Sequence, residues 1–265
     1  MIKKEKVVTN KEPKHSKVLV GSMVLIFALF SFSVYKIITV LNDYSASDEE
    51  YGNLKNNTVK QEWISYSDDE NVKELLEVDY TELKKRNSDY CGWLEIPNSD
   101  YISYPLMQAA DNEYYLHRTF EKKNLFAGAI FMDYRNSNDF NDNVTFIYGH
   151  SMKNKSMFGT LKYYQNYSYY KEHQYVYVYL EKETRVYKVF SFLETEVDSK
   201  VYAFSKLNQK ETADYCRLLK ENSIYDTGTE ANGDMPILCL STCNGSGNRR
   251  WVLCAVLEEI LLRGE

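Results

Sequence analysis

Cys243 and His150 are the residues of this chain whose types and settings could support nucleophilic catalysis. Cys243 ends an apolar run, Pro236 to Cys243, and opens a polar, glycine-bearing loop that closes on Arg249 and Arg250. A cysteine attacks as its thiolate, and a thiolate needs a cation or a base beside it. Four histidines are available, at 15, 117, 150 and 173. Of these, His150 stands where an apolar run, Val144 to Gly149, gives way to a loop, a place where reactive side chains often project. Arginine stays protonated and cannot be the base, but it can donate hydrogen bonds to a developing oxyanion. If 236–243 and 251–260 form a hairpin, position 249 or 250 returns beside 243. Three roles then have candidates: Cys243 as nucleophile, His150 as acid and base, and Arg250 as oxyanion donor. The plainer reading of the same residues is a small buried thiol, a turn histidine and two solvated arginines.

The elements that must hold these residues read as mostly β. Short apolar or alternating runs at Cys91–Pro97, Tyr101–Leu106, Gly128–Met132, Val144–Tyr148, Tyr175–Leu180, Arg185–Val197, Pro236–Cys243 and Trp251–Ile260 predict eight strands separated by turn signals. Helical spacing of Val72, Leu75, Leu76, Tyr80 and Leu83 predicts a helix over 71–87. Short helices are expected at 112–119, 158–164 and 209–221. Eight short strands with few helices point to a closed barrel rather than a parallel sheet.

At 265 residues with 44% apolar content, the chain is long enough for one good-sized domain and its appendages, and a net charge of −6 gives no reason to expect a nucleic-acid partner. The charge is unevenly spread. Residues 1–17 hold six lysines against two glutamates, and Val18 to Leu41 is then almost wholly apolar over 24 residues, with Lys36 its single charge. That length spans a bilayer as a helix. Basic residues before it and the acidic Asp43–Glu50 after it predict a cytoplasmic N-terminus (1–17), a membrane anchor (18–41), a polar extracellular stalk (42–70) and an extracellular catalytic body (71–265). A cleaved signal peptide is the competing reading. It would need a shorter apolar region and a better small-residue cleavage site than Ser45-Ala46-Ser47.

Five cysteines, 91, 216, 239, 243 and 254, make an odd set for an exported protein, so at least one thiol is expected to stay free. Cys239 and Cys243 would share a face of one strand, too far apart along it for a disulfide. No histidines stand at ligand spacing, so neither metal nor cofactor is expected. Asp139 and Asp142 read as a solvated loop.

Four ordered stretches, YLHRTF…GAIFMDYRN (115–136), YGHSMKNKSMFG (148–159), LSTC (240–243) and RRWVLCAV (249–256), resemble the class B sortases over about residues 72–262. The resemblance implies an eight-stranded sortase β-barrel and a cysteine transpeptidase. In that reading Cys243 attacks a carbonyl of a C-terminal sorting motif (NPxT- or PxT-like) in an exported protein and forms a thioacyl-enzyme. His150 protonates the leaving amine. A peptidoglycan-precursor amine then resolves the thioester, while Arg250 and the backbone N–H of Asn244 stabilise the oxyanion. The resemblance also implies that Asn112, Leu116, Ser241 and Thr242 line the peptide groove. Two departures from the family pattern matter. Cys239-Leu240 stands where Thr-Leu is usual, and the loop between Cys243 and Arg250 is short. Adjacent arginines on a strand face opposite ways, so only one reaches the thiol, and the family pattern favours Arg250 over Arg249. Rival readings are a membrane-anchored cysteine peptidase that only hydrolyses, a pilin-polymerising sortase, and an anchored scaffold with an inert Cys243.

Overall fold

Continuously apolar β-strands need two buried faces, and both are present. The computed structural model of the chain describes residues 14–65, 72–99, 101–243 and 247–262, and the side chains of 14–17, 62–65, 72–74 and 243 lie outside that description. Ten strands occur among the described residues: β1 (Val59–Ser65), β2 (Val72–Val78), β3 (Tyr90–Glu95), β4 (Ser103–Met107), β5 (Ile130–Met132), β6 (Val144–Tyr148), β7 (Tyr175–Tyr179), β8 (Glu183–Glu196), β9 (Ile237–Cys243) and β10 (Arg249–Leu262). The last eight close into a barrel in the order β10-β8-β7-β3-β4-β5-β6-β9, and β9 pairs back onto β10. The pairs β4–β5 and β6–β9 are parallel and the rest antiparallel. The eight strands expected from the sequence are these eight.

The period-two pattern sorts residues between two cores. Leu238 and Leu240 of β9, with Leu253, Ala255 and Leu257 of β10, join the main cluster around Trp93, Leu106, Ile130 and Val178. Their neighbours Ile237, Cys239, Val252, Cys254 and Val256 join a second cluster with Phe146 and Phe190. A helix covers that second face. Of the four α-helices among the described residues, α1 (Lys14–Thr58), α2 (Tyr80–Arg86), α3 (Tyr167–Glu172) and α4 (Gln209–Glu221), it is α4 that places Tyr215, Cys216 and Leu219 there. The helix starts at a reciprocal cap, in which Asn208 Oδ1 accepts from Glu211 N and Glu211 Oε2 accepts from Asn208 N. Ser191 Oγ donates to Leu219 O at 2.7 Å and ties its far end to β8. Single-turn 3₁₀ segments, Tyr114–Leu116, Leu161–Gln165 and Lys200–Tyr202, complete the body.

One stretch differs from the sequence expectation. The helix expected over 71–87 is strand β2, paired in register with β1, followed by the short α2. Asp79 marks the switch: its Oδ1 accepts from Glu82 N, so the helix begins only at Tyr80. Apolar spacing within VKELLEV fits both periods, and the partner strand decided between them. The polar segment after the apolar span, expected from the sequence as a stalk, is helical as far as Thr58. Ser47, Glu50, Tyr51, Leu54 and Thr58 recur at helical spacing and are buried. Tyr51 donates to Gly128 O at 2.7 Å and accepts from Phe120 N at 3.2 Å.

The chain divides into two units, Met1–Asn42 and Asp43–Glu265. The apolar stretch from Val18 lies in a helix long and apolar enough to cross a membrane. Its most apolar 18-residue window has a mean hydropathy of 2.3, and none of that window is buried.

Candidate active site

The loop-bearing ends of β6, β9 and β10 meet, because β9 lies between the other two in the sheet. Tyr148, the last residue of β6, pairs with Ser241 in the parallel ladder, and Cys243, the last of β9, pairs with Arg250 in the antiparallel one. Directly opposed positions belong to one face of a sheet. The sequence expectation that a hairpin returns an arginine beside position 243 therefore holds for the backbone, and the residue opposite is Arg250.

Gly149 separates Tyr148 from His150 for a packing reason. A Cβ at 149 would lie 2.4 Å from Ile130 Cδ1 and 2.9 Å from the Phe158 ring. The chain then turns out at His150, whose carbonyl accepts from Phe158 N at 2.9 Å and closes the loop 150–158. The imidazole is half-buried. Its Nε2 lies 2.7 Å from Leu116 O, and because a carbonyl only accepts, Nε2 carries the proton and Nδ1 is the nitrogen free to take another. The ring lies nearly parallel to Phe126 at 5.5 Å and to His117 at 6.2 Å between centroids. Burial lowers the His150 pKa below the ordinary 6.5; the Leu116 carbonyl opposes this and His117 adds to it. His150 is thus mainly neutral near pH 7.

A cavity of about 460 Å³ opens between these elements. Asn112, Glu113, Leu116, Phe131, Tyr148, Gly149, His150, Val197, Tyr202, Ser241, Thr242 and Arg250 line it. It thus brings together His150, Arg250 and all four residues to which the resemblance assigned the peptide groove. Its walls are apolar and aromatic with a few polar groups, as in sites for extended organic ligands. Leu116 serves twice, as a wall through its side chain and as the acceptor for His150 through its carbonyl. Ser241 Oγ and Tyr202 Oη lie 2.9 Å apart. Burial pushes the Tyr202 phenol up to about 12, against the opposing effects of Ser241 and Arg250, so it is a neutral hydrogen-bonding group in the wall. Thr242 Oγ1 is buried and has no hydrogen-bond partner among the described residues.

Arg250 is half-buried, and its Nη1 donates to Gly247 O at 2.8 Å and Arg249 O at 2.9 Å. Arg249 does not line the cavity. Its Nη1 meets Glu194 Oε2 at 2.6 Å in an exposed shallow depression with Glu196, Asp198 and Ser199. The two arginines occupy different surfaces, as strand alternation requires. The side chain of Cys243 and the whole of Asn244 lie outside the described residues.

Cys239 belongs to the second core and not to the cavity. It is fully buried, lies opposite Cys254 across β9 and β10, and their sulfurs are 3.4 Å apart without a bond. Cys91, Cys216, Cys239 and Cys254 are all free thiols. Among the described residues no group of three or more His, Cys, Asp or Glu could hold a metal ion. Asp142 Oδ2 accepts from Asn136 Nδ2 and Ser137 N, and Asp139 accepts from Asn141, so both carboxylates pin their own loop.

Sequence reasoning named none of Glu113, Phe131, Tyr148, Gly149, Val197 and Tyr202 in the cavity lining, nor the Phe126 ring beside His150. Tyr148 stood in a quoted motif and carried a signal, since a tyrosine ending an apolar strand next to a candidate base is placed to reach the same cavity. Val197 and Tyr202 come from the β8–α4 connection, which nothing local in the sequence directs to β9.

Residues 94–258 match the family model for the sortase domain. The chain is 32% identical over 225 residues to a protein named Sortase B of Listeria monocytogenes, covering 83% of this chain and 87% of that one. To Sortase B of Staphylococcus aureus it is 25% identical over 239 residues, covering 90% and 93%. Among solved structures, sortase B from Bacillus anthracis in complex with AAEK1 superposes with a TM-score of 0.70 at 27% identity, covering 83% of this chain and 100% of that one. A Staphylococcus aureus sortase B–substrate complex superposes with a TM-score of 0.64 at 26% identity, covering 68% and 84%.

Proposed function

The chain belongs to the sortase family, in its class B, and from that premise we propose that it is a membrane-anchored cysteine transpeptidase in which Cys243, His150 and Arg250 carry the reaction. The observation that carries this reading is the shared cavity: His150 and Arg250 line it together, and position 243 lies directly across the ladder from Arg250. In the proposed cycle an exported protein's C-terminal sorting segment, NPxT- or PxT-like, lies in the cavity against Asn112, Leu116, Ser241 and Thr242.

Cys243 attacks the scissile carbonyl as a thiolate, its thiol proton having passed to Nδ1 of His150. The guanidinium of Arg250 favours the thiolate and then the tetrahedral oxyanion, which the backbone N–H of Asn244 also meets. His150, held through Nε2 by Leu116 O, gives a proton from Nδ1 to the departing amine as the carbon–nitrogen bond breaks and the thioester is left on sulfur. The lowered pKa of His150 makes the imidazolium a strong acid for that step. A cell-wall precursor amine then attacks the thioester, His150 takes its proton, and the thiolate is released. The apolar helix that begins at Lys14 suits a single membrane anchor with the N-terminus inside and the body outside.

The test is transpeptidation itself. The full chain in detergent is incubated with fluorogenic peptides bearing NPxT- and PxT-type motifs, with and without an amine acceptor, and the products are read by mass spectrometry. An amine-ligated product that is lost in Cys243→Ala is expected. Cleavage that yields only hydrolysed product at saturating amine would overturn transfer and leave a peptidase.

A further inference from the structure

The stretch GAIFMDYRN contributes to the resemblance, yet neither Asp133 nor Arg135 touches the cavity or enters the proposed reaction. We propose that Asp133 is the positioning residue of the peptide groove: one buried carboxylate that fixes the orientation of the cavity walls Tyr148 and Asn112. The inference rests on the proposed function, because it assigns a role within that groove.

Asp133 follows β5 directly and is fully buried. A buried charge persists only when it is paired and hydrogen-bonded. Here five donors converge on its two oxygens. Oδ1 accepts from Arg135 N and Arg135 Nε, both at 2.9 Å, and Oδ2 accepts from Arg135 Nη2, Asn112 Nδ2 and Tyr148 Oη, each at 2.9 Å. Burial alone would raise the carboxyl pKa, but the donors, Arg135 foremost, outweigh it and hold the group ionised. The number of donors is more than the ion pair needs. Two of the five come from residues that line the cavity.

Each of those two is fixed in a way that matters for a ligand. Asn112 is held at both ends, since its Nδ2 donates to Asp133 and its Oδ1 accepts from Tyr134 N at 3.0 Å. One N–H of its amide is left to face a peptide carbonyl. Tyr148 spends its only hydroxyl proton on Asp133, so its ring is held as a wall and its oxygen can only accept from the cavity side. Arg135 extends the same frame. Its guanidinium lies over the Phe204 ring at 4.4 Å and reaches toward Tyr202 O at 3.4 Å, and Tyr202 in turn meets Ser241. A wall whose polar atoms are pinned in advance binds a ligand without the cost of ordering it.

The substitution that removes the charge while keeping the shape is Asp133→Asn. Its amide offers a single oxygen where five donors converge, so Asn112 and Tyr148 lose a common acceptor. Steady-state kinetics on a fluorogenic Asn-Pro-x-Thr peptide set should show KM raised roughly tenfold or more with kcat held within about threefold, the pattern of lost ground-state and transition-state binding alike. A residue that merely kept the protein folded would lower active enzyme concentration, and with it kcat, without moving KM. Tyr148→Phe leaves the Asp133–Arg135 ion pair intact and keeps the test open should Asp133→Asn fail to fold. It should raise KM in the same direction by roughly three- to fivefold, and the double variant should fall short of the product of the two effects. Unchanged KM in Tyr148→Phe, a fall in kcat alone in folded Asp133→Asn, or simple multiplication in the double variant would each overturn the proposal. In those cases the wild-type chain still turns over peptide and only this inference is lost. A wild-type chain that neither cleaves the peptides nor binds them as Cys243→Ala would take the proposed function down with it.

Discussion

Replacing each of the two adjacent arginines in turn separates a catalytic reading from a structural one. Arg250 lines the cavity with His150 and stands opposite Cys243, whereas Arg249 lies outside it with Glu194. The Arg249 side chain is 53% exposed and that of Glu194 31% exposed, so their ion pair is a surface pair worth about 0.2–1 kcal/mol. Arg249→Ala should therefore lower the melting temperature by at most about 4 °C and leave kcat within about threefold of wild type. In the proposed mechanism Arg250→Ala removes a charged donor from the position where oxyanion charge develops, a change worth roughly 10²–10³ in kcat, or about 2.7–4 kcal/mol. Its own hydrogen bonds are to Gly247 O and Arg249 O at the strand end. Those carbonyls face solvent once freed, so the melting temperature should move little. Arg250→Lys keeps the charge but loses the fork and should recover part of the rate only. The assay is single-turnover acylation by a fluorogenic sorting peptide, which isolates the chemical step, with thermal unfolding run on the same samples. If Arg249→Ala is the more damaging substitution, the register-based assignment is wrong and the oxyanion argument goes with it.

Three further outcomes follow from the packing around the site. His150 should titrate below 6.5 when followed by NMR, and Phe126→Ala, which strips a ring from beside the imidazole, should move that pKa upward toward the ordinary value. The folded pKa is lower than the unfolded one, so the folded chain binds fewer protons at this site, and the stability it contributes is present at neutral pH and is lost as pH falls below about 6.5. Gly149→Ala should cost about 1–3 kcal/mol by overpacking against Ile130 and Phe158, and it should also lower kcat by displacing His150 from Leu116 O, as read by denaturant unfolding and peptide turnover. Tyr51→Phe leaves Gly128 O and Phe120 N without their buried partner. It should destabilise the body by about 1–3 kcal/mol in chemical denaturation.

Much of this architecture was legible in the residues. All eight barrel strands were marked by apolar runs between turn signals, because most are buried on both faces: β9 and β10 send alternate side chains to the two cores, while β3, β4, β5 and β7 are buried within the main one. The helix over 209–221 was legible from its amphipathic spacing. The cavity was readable to the extent that its residues sit in chain-local motifs: His150 after a strand, Ser241 and Thr242 before a loop, Arg250 opening the next strand. What remained hidden depends on long-range pairing. Strand β2 looked helical because Leu75 and Leu76 suit either period, and only its pairing with β1 decides. The buried face of residues 47–58 was masked by their polar composition. Tyr202 reaches Ser241 through a connection of no local distinction, and Asp133 could be recognised as a buried charge only once Arg135, Asn112 and Tyr148 were seen around it.

The central claim is that Cys243 becomes acylated by a sorting peptide. The most direct measurement is intact-protein mass spectrometry of the full chain mixed with an Asn-Pro-x-Thr peptide in the absence of any amine and quenched in acid. The account predicts an added mass equal to the N-terminal peptide fragment less one water, on the tryptic peptide that carries Cys243, discharged by hydroxylamine and absent from Cys243→Ala. Peptide cleavage that proceeds with no adduct on Cys243, or that persists in Cys243→Ala, would contradict it.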